Sequence, residues 1–491
     1  MEASLRMIFS ARDAILLCMD SEEKISISRF NQRGWGIGSH APAMPAKAGQ
    51  VEVVGGLPGD ELLVRLNKKR KGKWRGDLKE VVTPSSLRVA PRCSHAPFCG
   101  GCTWQQMNYG KQLEEKQRRI EALFSSFLGS VEVLPIIACE EPWGYRNKME
   151  FSFSQNKAGE KFLGLIIAGS RGHVLNLTEC HLVSEWFVEV LKNVRFWWEA
   201  SGLLAYRMND TGTLRTLVVR EGKNTGDKLV MLTVSGNPSY ALRGAQLKGF
   251  VEAVKQAIPE EQWKRLSVFL RVQQCIKGSP TQFFEMHLHG PDHIVEKMSL
   301  SLDRPVELFF KVSPTSFFQP NTFQAEKLYS AALNSVSFPK RHVLDLYAGT
   351  ATLGMAMAAR AEKVTAIEIN PHACFDAESN KELNGFSNLE ILCGDVGNQL
   401  EELRKRGDFV TPDLVVVDPP RTGLDAKALA HLIELGAEEI LYVSCNPETQ
   451  TANIQELVAG GYRLVRMQAV DQFPHTPHIE NITILKRIVL A

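Results

Sequence analysis

The chain has 491 residues, 44% hydrophobic and 23% charged, with a net charge of +2 at pH 7. That length is too great for one ordinary core and predicts roughly two to four domains, and the composition is ordinary for a soluble globular protein. No apolar run approaches the ~18–20 residues of a bilayer span, and residues 1–9 carry an early acid with no small-residue cleavage site behind a long apolar core, so no membrane partner and no signal peptide are expected and the cytoplasm is the default compartment.

Residues 22–85 form the first expected domain. Lys24-Ile25-Ser26-Ile27-Ser28-Arg29 alternates as a strand, residues 34–39 read as a turn-rich connector, and residues 50–66 give two strands around a Gly/Pro turn. Several short strands in so few residues predict a small OB-type β-barrel, an architecture that commonly binds nucleic acid, although a structural cap would look the same. Lys68-Lys69-Arg70-Lys71-Gly72-Lys73-Trp74-Arg75 is a basic run with an embedded aromatic. It suits phosphates and stacked bases, or equally a solvated hairpin tip.

Residues 91–305 form a central α+β domain. A helix is expected over 113–128, a strand over 146–153, and a strand pair over 213–220 and 228–234 around Gly222 and Gly226. This region carries Cys93, Cys99 and Cys102 at C-x5-C-x2-C spacing, with Gly100 and Gly101 allowing a tight fold around a metal centre, and Cys180 as a fourth ligand. Four thiolates suit zinc or a [4Fe–4S] cluster, and spacing alone does not decide. His95 and His181 are alternative ligands. The C-x3-C-x2-C spacing of radical chemistry is absent, so a structural or RNA-positioning centre is expected. Cys18, Cys139, Cys275, Cys374 and Cys393 have no motif context and read as packing residues.

Residues 310–491 alternate regularly. Strands are expected at 342–347, 363–369, 389–393, 413–418 and 439–444, with helices at 353–361, 371–384, 398–406, 426–436 and 449–459. Continuous Val/Ile/Leu strands between amphipathic helices predict a Rossmann-like α/β domain with a parallel sheet covered on both faces.

In such sheets ligands bind at the C-terminal strand ends. Gly349 follows the first strand, Glu368 ends the second, Asp395 follows the third, and Asp418 ends the fourth. Glu368 is placed to hold ribose hydroxyls and Asp395 to meet an adenine edge. A nicotinamide dinucleotide is the rival ligand, but four residues separate Gly349 from Gly354, so G-x-G-x-x-G is absent. S-adenosylmethionine has no phosphate to cradle, and one close-approach glycine plus acids fits it better.

The fifth strand ends at Ser444-Cys445-Asn446-Pro447, and Glu480 follows a Pro- and His-rich loop. A thiolate and a carboxylate beside a nucleotide-type domain are what methylation of a pyrimidine carbon requires. The thiolate adds to C6 and makes C5 a carbon nucleophile; the carboxylate then takes the C5 proton. The base must leave its stack to reach such a site.

Phe318-Gln319-Pro320-Asn321, Asp345-Leu346-Tyr347-Ala348-Gly349, Asp418-Pro419-Pro420-Arg421, Ser444-Cys445-Asn446-Pro447 and residues 471–480 together resemble the 5-methyluridine RNA methyltransferase family. The chain is similar to the bacterial branch with an N-terminal TRAM domain and an iron–sulfur cluster, from about Glu22 to Leu490. The resemblance implies that Cys445 is the nucleophile and Glu480 the base, that Gln319, Tyr347, Glu368 and Asp418 line the cofactor site with Asp395 joining them, and that Cys93, Cys99, Cys102 and Cys180 hold a [4Fe–4S] cluster. It implies RNA as partner, with 23S rRNA favoured by the architecture and tRNA the alternative, and no obligate protein partner. One departure is visible: the family has a cysteine at the position of Ala348 and a glycine at that of Ala351, which adds a methyl group expected near the methionine moiety. Cytosine-C5 methylation would favour a Pro-Cys motif, which Ser444-Cys445 is not. A non-catalytic RNA-binding or cluster-assembly protein would not need both Cys445 and Glu480.

Overall fold

The computed structural model describes residues 22–40, 49–70, 72–276, 278–407 and 409–488. Residues 1–9, Cys18 and Lys71 lie outside the described residues, as do the side chains of Lys68, Lys69 and Arg70. The chain forms two units. One comprises the chain up to Gln112 with Ile166–His173 and His475–Pro477; the other comprises Leu113–Leu165, Val174–Pro474 and the chain from His478.

In the first unit, five strands close into a barrel in the order Glu22–Phe30, Gly36–His40, Gly49–Val53, Lys73–Thr83 and Glu61–Arg70. Strand periodicity explains its core: Ile25, Ile27, Val51, Val53, Leu62, Val64 and Leu66 point inward and are buried together. Gly36–His40, read from sequence as a connector, is a strand. A Cβ on Gly38 would stand 2.2 Å from Ile25 and 2.6 Å from the Ser26 carbonyl, so the glycine that weakens the strand signal is what lets this strand approach its neighbour. The cysteine loop belongs to the same unit. Cys99 N–H donates to the His95 carbonyl at 2.9 Å and Gly100 N–H to the Ile166 carbonyl at 3.0 Å.

The second unit contains an antiparallel-rich six-stranded sheet, a two-stranded ribbon and an eight-stranded sheet. The eight strands run in the order Leu389–Cys393, Ala361–Glu368, Lys340–Leu346, Leu414–Val417, Glu439–Ser444, Glu480–Arg487, Tyr462–Val470 and Glu132–Ile137. The first five are parallel. Glu480–Arg487 runs antiparallel between Glu439–Ser444 and Tyr462–Val470, and Glu132–Ile137 adds a parallel edge strand.

The apolar strands feed two cores. Val343, Val364, Leu414, Val416, Leu441 and Val443 pack on one face. Leu344, Leu346, Ile367, Val415, Val417, Ile440 and Tyr442 pack on the other. Alternate side chains are buried on both faces, which is why no polar period shows in these strands. The helices between them carry ordinary start signals: Asn370, Asp395 and Asp425 accept N-terminal amide protons at 3.0, 3.0 and 2.9 Å. Among the described residues no helix is long and apolar enough to cross a membrane.

Candidate active site

The first strand of the parallel run, Lys340–Leu346, ends in a tight turn. Tyr347, Gly349 and Ala351 all adopt left-handed backbone, at φ 62°, 57° and 56°. The turn aims the Gly349 amide at the next strand, where it donates to Glu368 Oε2 at 2.8 Å, while Asn370 N–H donates to Glu368 Oε1 at 2.8 Å. Two amides thus fix one carboxylate. A Cβ on Gly349 would meet nothing within 4 Å, so the glycine borders open space that a ligand can enter. Ala351, by contrast, is fully buried and its methyl group belongs to the apolar core.

Beneath the turn, Asp345 is 1% exposed, and its Oδ2 has no hydrogen-bond partner. Burial pushes its carboxyl up to about 8, with the charges of Asp418 and Glu368 adding to the rise and the Gly354 amide opposing it. The Tyr347 hydroxyl is also buried without a partner. Its pKa is raised, first by burial and then by Asp425 and Asp395. Two orphaned polar atoms and a carboxyl of raised pKa fit a ligand that brings donors and positive charge. Asp395 lies at the next strand tip, with its Oδ1 committed to capping the helix Val396–Lys405.

Strand register places the expected nucleophile and base. Ser444 and Asn481 are paired residues of adjacent antiparallel strands, so the next positions outward, Cys445 and Glu480, come to the same end of the sheet. Cys445 immediately precedes the Asn446 cap of the helix Pro447–Ala459. Asn446 is pinned by its own N–H to Ser444 Oγ at 3.1 Å and by Nδ2 to the Arg421 carbonyl at 2.8 Å.

Burial pushes the Cys445 thiol up to about 11, with Glu480 and Asp418 adding to the rise and Arg421 opposing it. Glu480, 3% exposed, is held well above the usual carboxylate range by burial and then by Asp418, again opposed by Arg421. Burial pushes half-buried Asp418 up to about 7. The site is therefore a thiol among carboxyl groups, with Arg421 as the cation that opposes both the thiol and Glu480.

Sequence reasoning named Gln319 but missed Tyr329 and Gln472 in the wall behind these groups. Gln319, 8% exposed, accepts from Gln472 Nε2 at 3.3 Å and opposes the rise of the buried Tyr329 hydroxyl. Tyr329 titrates above its usual range because of burial first and Asp418 second, with Glu480 and Asp345 contributing. Its only sequence signal was a tyrosine in the apolar stripe of a helix, where a buried hydroxyl needs a partner. Asn321 completes the wall, donating to the Gln472 carbonyl at 3.2 Å and capping the helix Thr322–Asn334.

The cysteine motif is placed differently. Cys93, Cys99 and Cys102 lie in the first unit and Cys180 in the second. Cys93 and Cys99 are in electrostatic reach: burial raises the Cys99 thiol, Cys93 raises it further, and the Gly101 amide, 3.5 Å from Sγ, opposes both. Among the described residues no group of three or more His, Cys, Asp or Glu side chains is arranged to hold a metal ion.

A family profile described as tRNA (Uracil-5-)-methyltransferase matches residues 285–488. An uncharacterized RNA methyltransferase of Protochlamydia amoebophila is 48% identical over 440 residues, spanning 89% of this chain and 99% of that protein. One from Clostridium acetobutylicum is 34% identical over 456 residues, covering 90% and 93%. Among solved structures, the Pyrococcus abyssi tRNA (uracil-54, C5)-methyltransferase in complex with S-adenosyl-L-homocysteine superposes with a TM-score of 0.70 at 26% identity, covering 94% of this chain and 99% of that one.

Proposed function

The chain belongs to a family of RNA methyltransferases, and from that premise we propose that it is an S-adenosylmethionine-dependent methyltransferase acting on C5 of a uridine in RNA through a covalent Cys445–C6 adduct, a reading that the profile match over residues 285–488 supports. The observation that carries this reading is the register that brings Cys445 and Glu480 to one end of two adjacent strands.

When bound, S-adenosylmethionine supplies the methyl group on a sulfonium. Glu368 with Gly349, Tyr347, Asp395, Asp345, Asp418 and Gln319 are the residues that would hold it. Cys445 Sγ, as thiolate, forms a bond to C6 of the uracil, and the electron pair of the C5–C6 double bond moves into an enolate, making C5 nucleophilic. After C5 carries both a hydrogen and the methyl group, Glu480 removes the C5 proton. The C–H electrons re-form C5–C6, the C6–S bond breaks, and Cys445 departs as thiolate. A carboxylate of raised pKa is the better base for this step. The same burial that raises Cys445 makes sulfur a poor resident anion, so the nucleophile regains what it loses on forming the carbon bond.

For substrate we propose 23S rRNA, on the strength of the barrel and the cysteine-rich loop, with the cytoplasm as the site of action. A tRNA substrate is the second reading, favoured by the Pyrococcus similarity. We assign a [4Fe–4S] cluster to Cys93, Cys99, Cys102 and Cys180. The donor chemistry suits it, but the described residues show no assembled metal-binding group, and no catalytic step is routed through it. Anaerobically purified protein that contained zinc, or no metal at all, would overturn that assignment.

The functional test offers unmodified 23S rRNA and unmodified tRNA separately with S-adenosylmethionine, digests each, and detects 5-methyluridine by mass spectrometry. Product on rRNA alone is the expected result. Product on tRNA alone overturns the substrate. Turnover by Cys445→Ala overturns the covalent mechanism.

A further inference from the structure

Cys374 and Cys393, which match no motif, meet at the tip of the Glu368 strand. Cys374 Sγ donates to the Glu368 carbonyl at 3.3 Å, and Gly394 N–H donates to the same oxygen at 2.8 Å. Glu368 and Cys393 are register partners in neighbouring parallel strands. After burial, the neighbouring Cys393 thiol is the group that raises the Cys374 thiol further. Cys374 is buried and Cys393 is exposed. One residue therefore faces two ways: the Glu368 carbonyl accepts from the Cys374 thiol beside its register partner Cys393, and its carboxylate is held by Gly349 and Asn370. Cys374 N–H in turn donates to the Asn370 carbonyl at 3.0 Å, so the buried thiol and the amide that steadies the carboxylate sit on one helical turn.

We propose that Cys374 and Cys393 are a reversible thiol–disulfide site, oxidised by small disulfides of the glutathione class, whose closure weakens S-adenosylmethionine binding at Glu368. This rests on the cofactor reading above. Exposed Cys393 meets the oxidant first, because burial and the neighbouring thiol push Cys374 up to about 12 and keep it protonated. The Cys393 thiolate attacks one sulfur of glutathione disulfide, forming a mixed disulfide and releasing one glutathione thiolate. Cys374 gives up its proton to solvent and displaces the second glutathione, closing the Cys374–Cys393 bond. Two protein thiols lose two electrons and two protons, and the glutathione disulfide is reduced to two thiols. Closure removes the S–H donor from the Glu368 carbonyl and draws the first turn of the helix Pro371–Asn384, with Asn370, toward the strand Leu389–Cys393. That displaces the amide holding the carboxylate.

The test equilibrates the full chain with reduced or oxidised glutathione, alkylates remaining thiols, maps cross-linked peptides, and measures S-adenosylmethionine binding by calorimetry. The expected result is a Cys374–Cys393 cross-link in the oxidised sample and an affinity about tenfold lower, with Cys393→Ser keeping the reduced-state affinity under both conditions. No cross-link, a cross-link with unchanged affinity, or an equal fall in Cys393→Ser would overturn the proposal. Cys374→Ser provides a second variant and must also be insensitive to oxidant. If reduced wild-type protein bound no S-adenosylmethionine, the cofactor assignment would fall and this gate with it.

Discussion

Arg421 Nη2 lies 2.9 Å from Nδ1 of His478. A guanidinium can only donate, so that ring nitrogen accepts and His478 is neutral with its proton on Nε2. Desolvation together with Arg421, Lys116 and Arg146 pushes the ring down to about 4, so it stays neutral across the working pH range. Arg421 opposes the rise of both Cys445 and Glu480.

The first prediction concerns that opposition. With the thiol near 11, alkylation of Cys445 by iodoacetamide, followed on its own peptide, should climb about tenfold per pH unit up to pH ~9.5 without levelling. Arg421→Gln should slow it by about tenfold at pH ~9. A plateau below pH ~8 would contradict the carboxyl-crowded environment.

Glu480→Gln keeps the shape and removes the base. Turnover should fall by roughly 10²–10⁴-fold. A covalent protein–RNA complex should accumulate on denaturing gels, because the C5 proton stays in place and Cys445 cannot depart. Wild-type turnover by this variant would reassign the base.

Cofactor binding should release protons. Asp418 and Asp345 titrate near 7 and 8 in the ligand-free protein, and a sulfonium favours their ionised forms. Affinity for S-adenosylmethionine should therefore rise between pH ~6 and ~8.5, by up to about tenfold per unit for each proton released. S-adenosylhomocysteine, without the sulfonium, should show a shallower rise. Calorimetry at both pH values decides, and Asp345→Asn should flatten the curve. Without cofactor the sign reverses for stability. Asp345 holds its proton to about 8 when folded, against 3.8 as the ordinary value. The folded state thus binds more protons across that window, and stability falls as pH rises through it; thermal melts at pH ~5.5 and ~8 should show the slope, and Asp345→Asn should lose it.

Lys116 and Asp471 form an ion pair with both side chains fully buried. Lys116→Met leaves a buried carboxylate without its cation and should destabilise the protein by about 3–5 kcal/mol. Replacing both partners with apolar residues should recover most of that loss. Urea unfolding of the single and double variants measures it; equal losses in both would mean packing, not charge, is responsible.

How much could be read in advance divides along a physical line. The parallel strands from Lys340 to Ser444 and the helices between them are visible because each buries both faces, or one stripe, using residues adjacent in the chain. The positions of Gly349, Glu368 and Asp418 follow from that alternation. The strand Gly36–His40 was hidden because its glycines serve a neighbour and not itself. The docking of Glu132–Ile137 beside Tyr462–Val470, and the antiparallel turnback that sets Ser444 against Asn481, are long-range pairings, and no local period encodes a partner so distant in the chain. Tyr329 was missed for the opposite reason: its helical stripe looked like core, and only the influence of Gln319, Asp418, Glu480 and Asp345 on its hydroxyl marks it as part of the site.

The strand Glu132–Ile137 closes the far edge of the sheet that carries Cys445 and Glu480. The catalytic half is therefore not a portable module. A chain trimmed to residues 310–491 would keep the apparent Rossmann repeat yet bare the edge of Tyr462–Val470 that pairs with Glu132–Ile137 between Arg466 and Val470. An open edge of that length recruits another chain, so such a fragment should self-associate. Recombination between relatives would have to carry residues 132–137 along with the C-terminal domain for this sheet edge to stay covered.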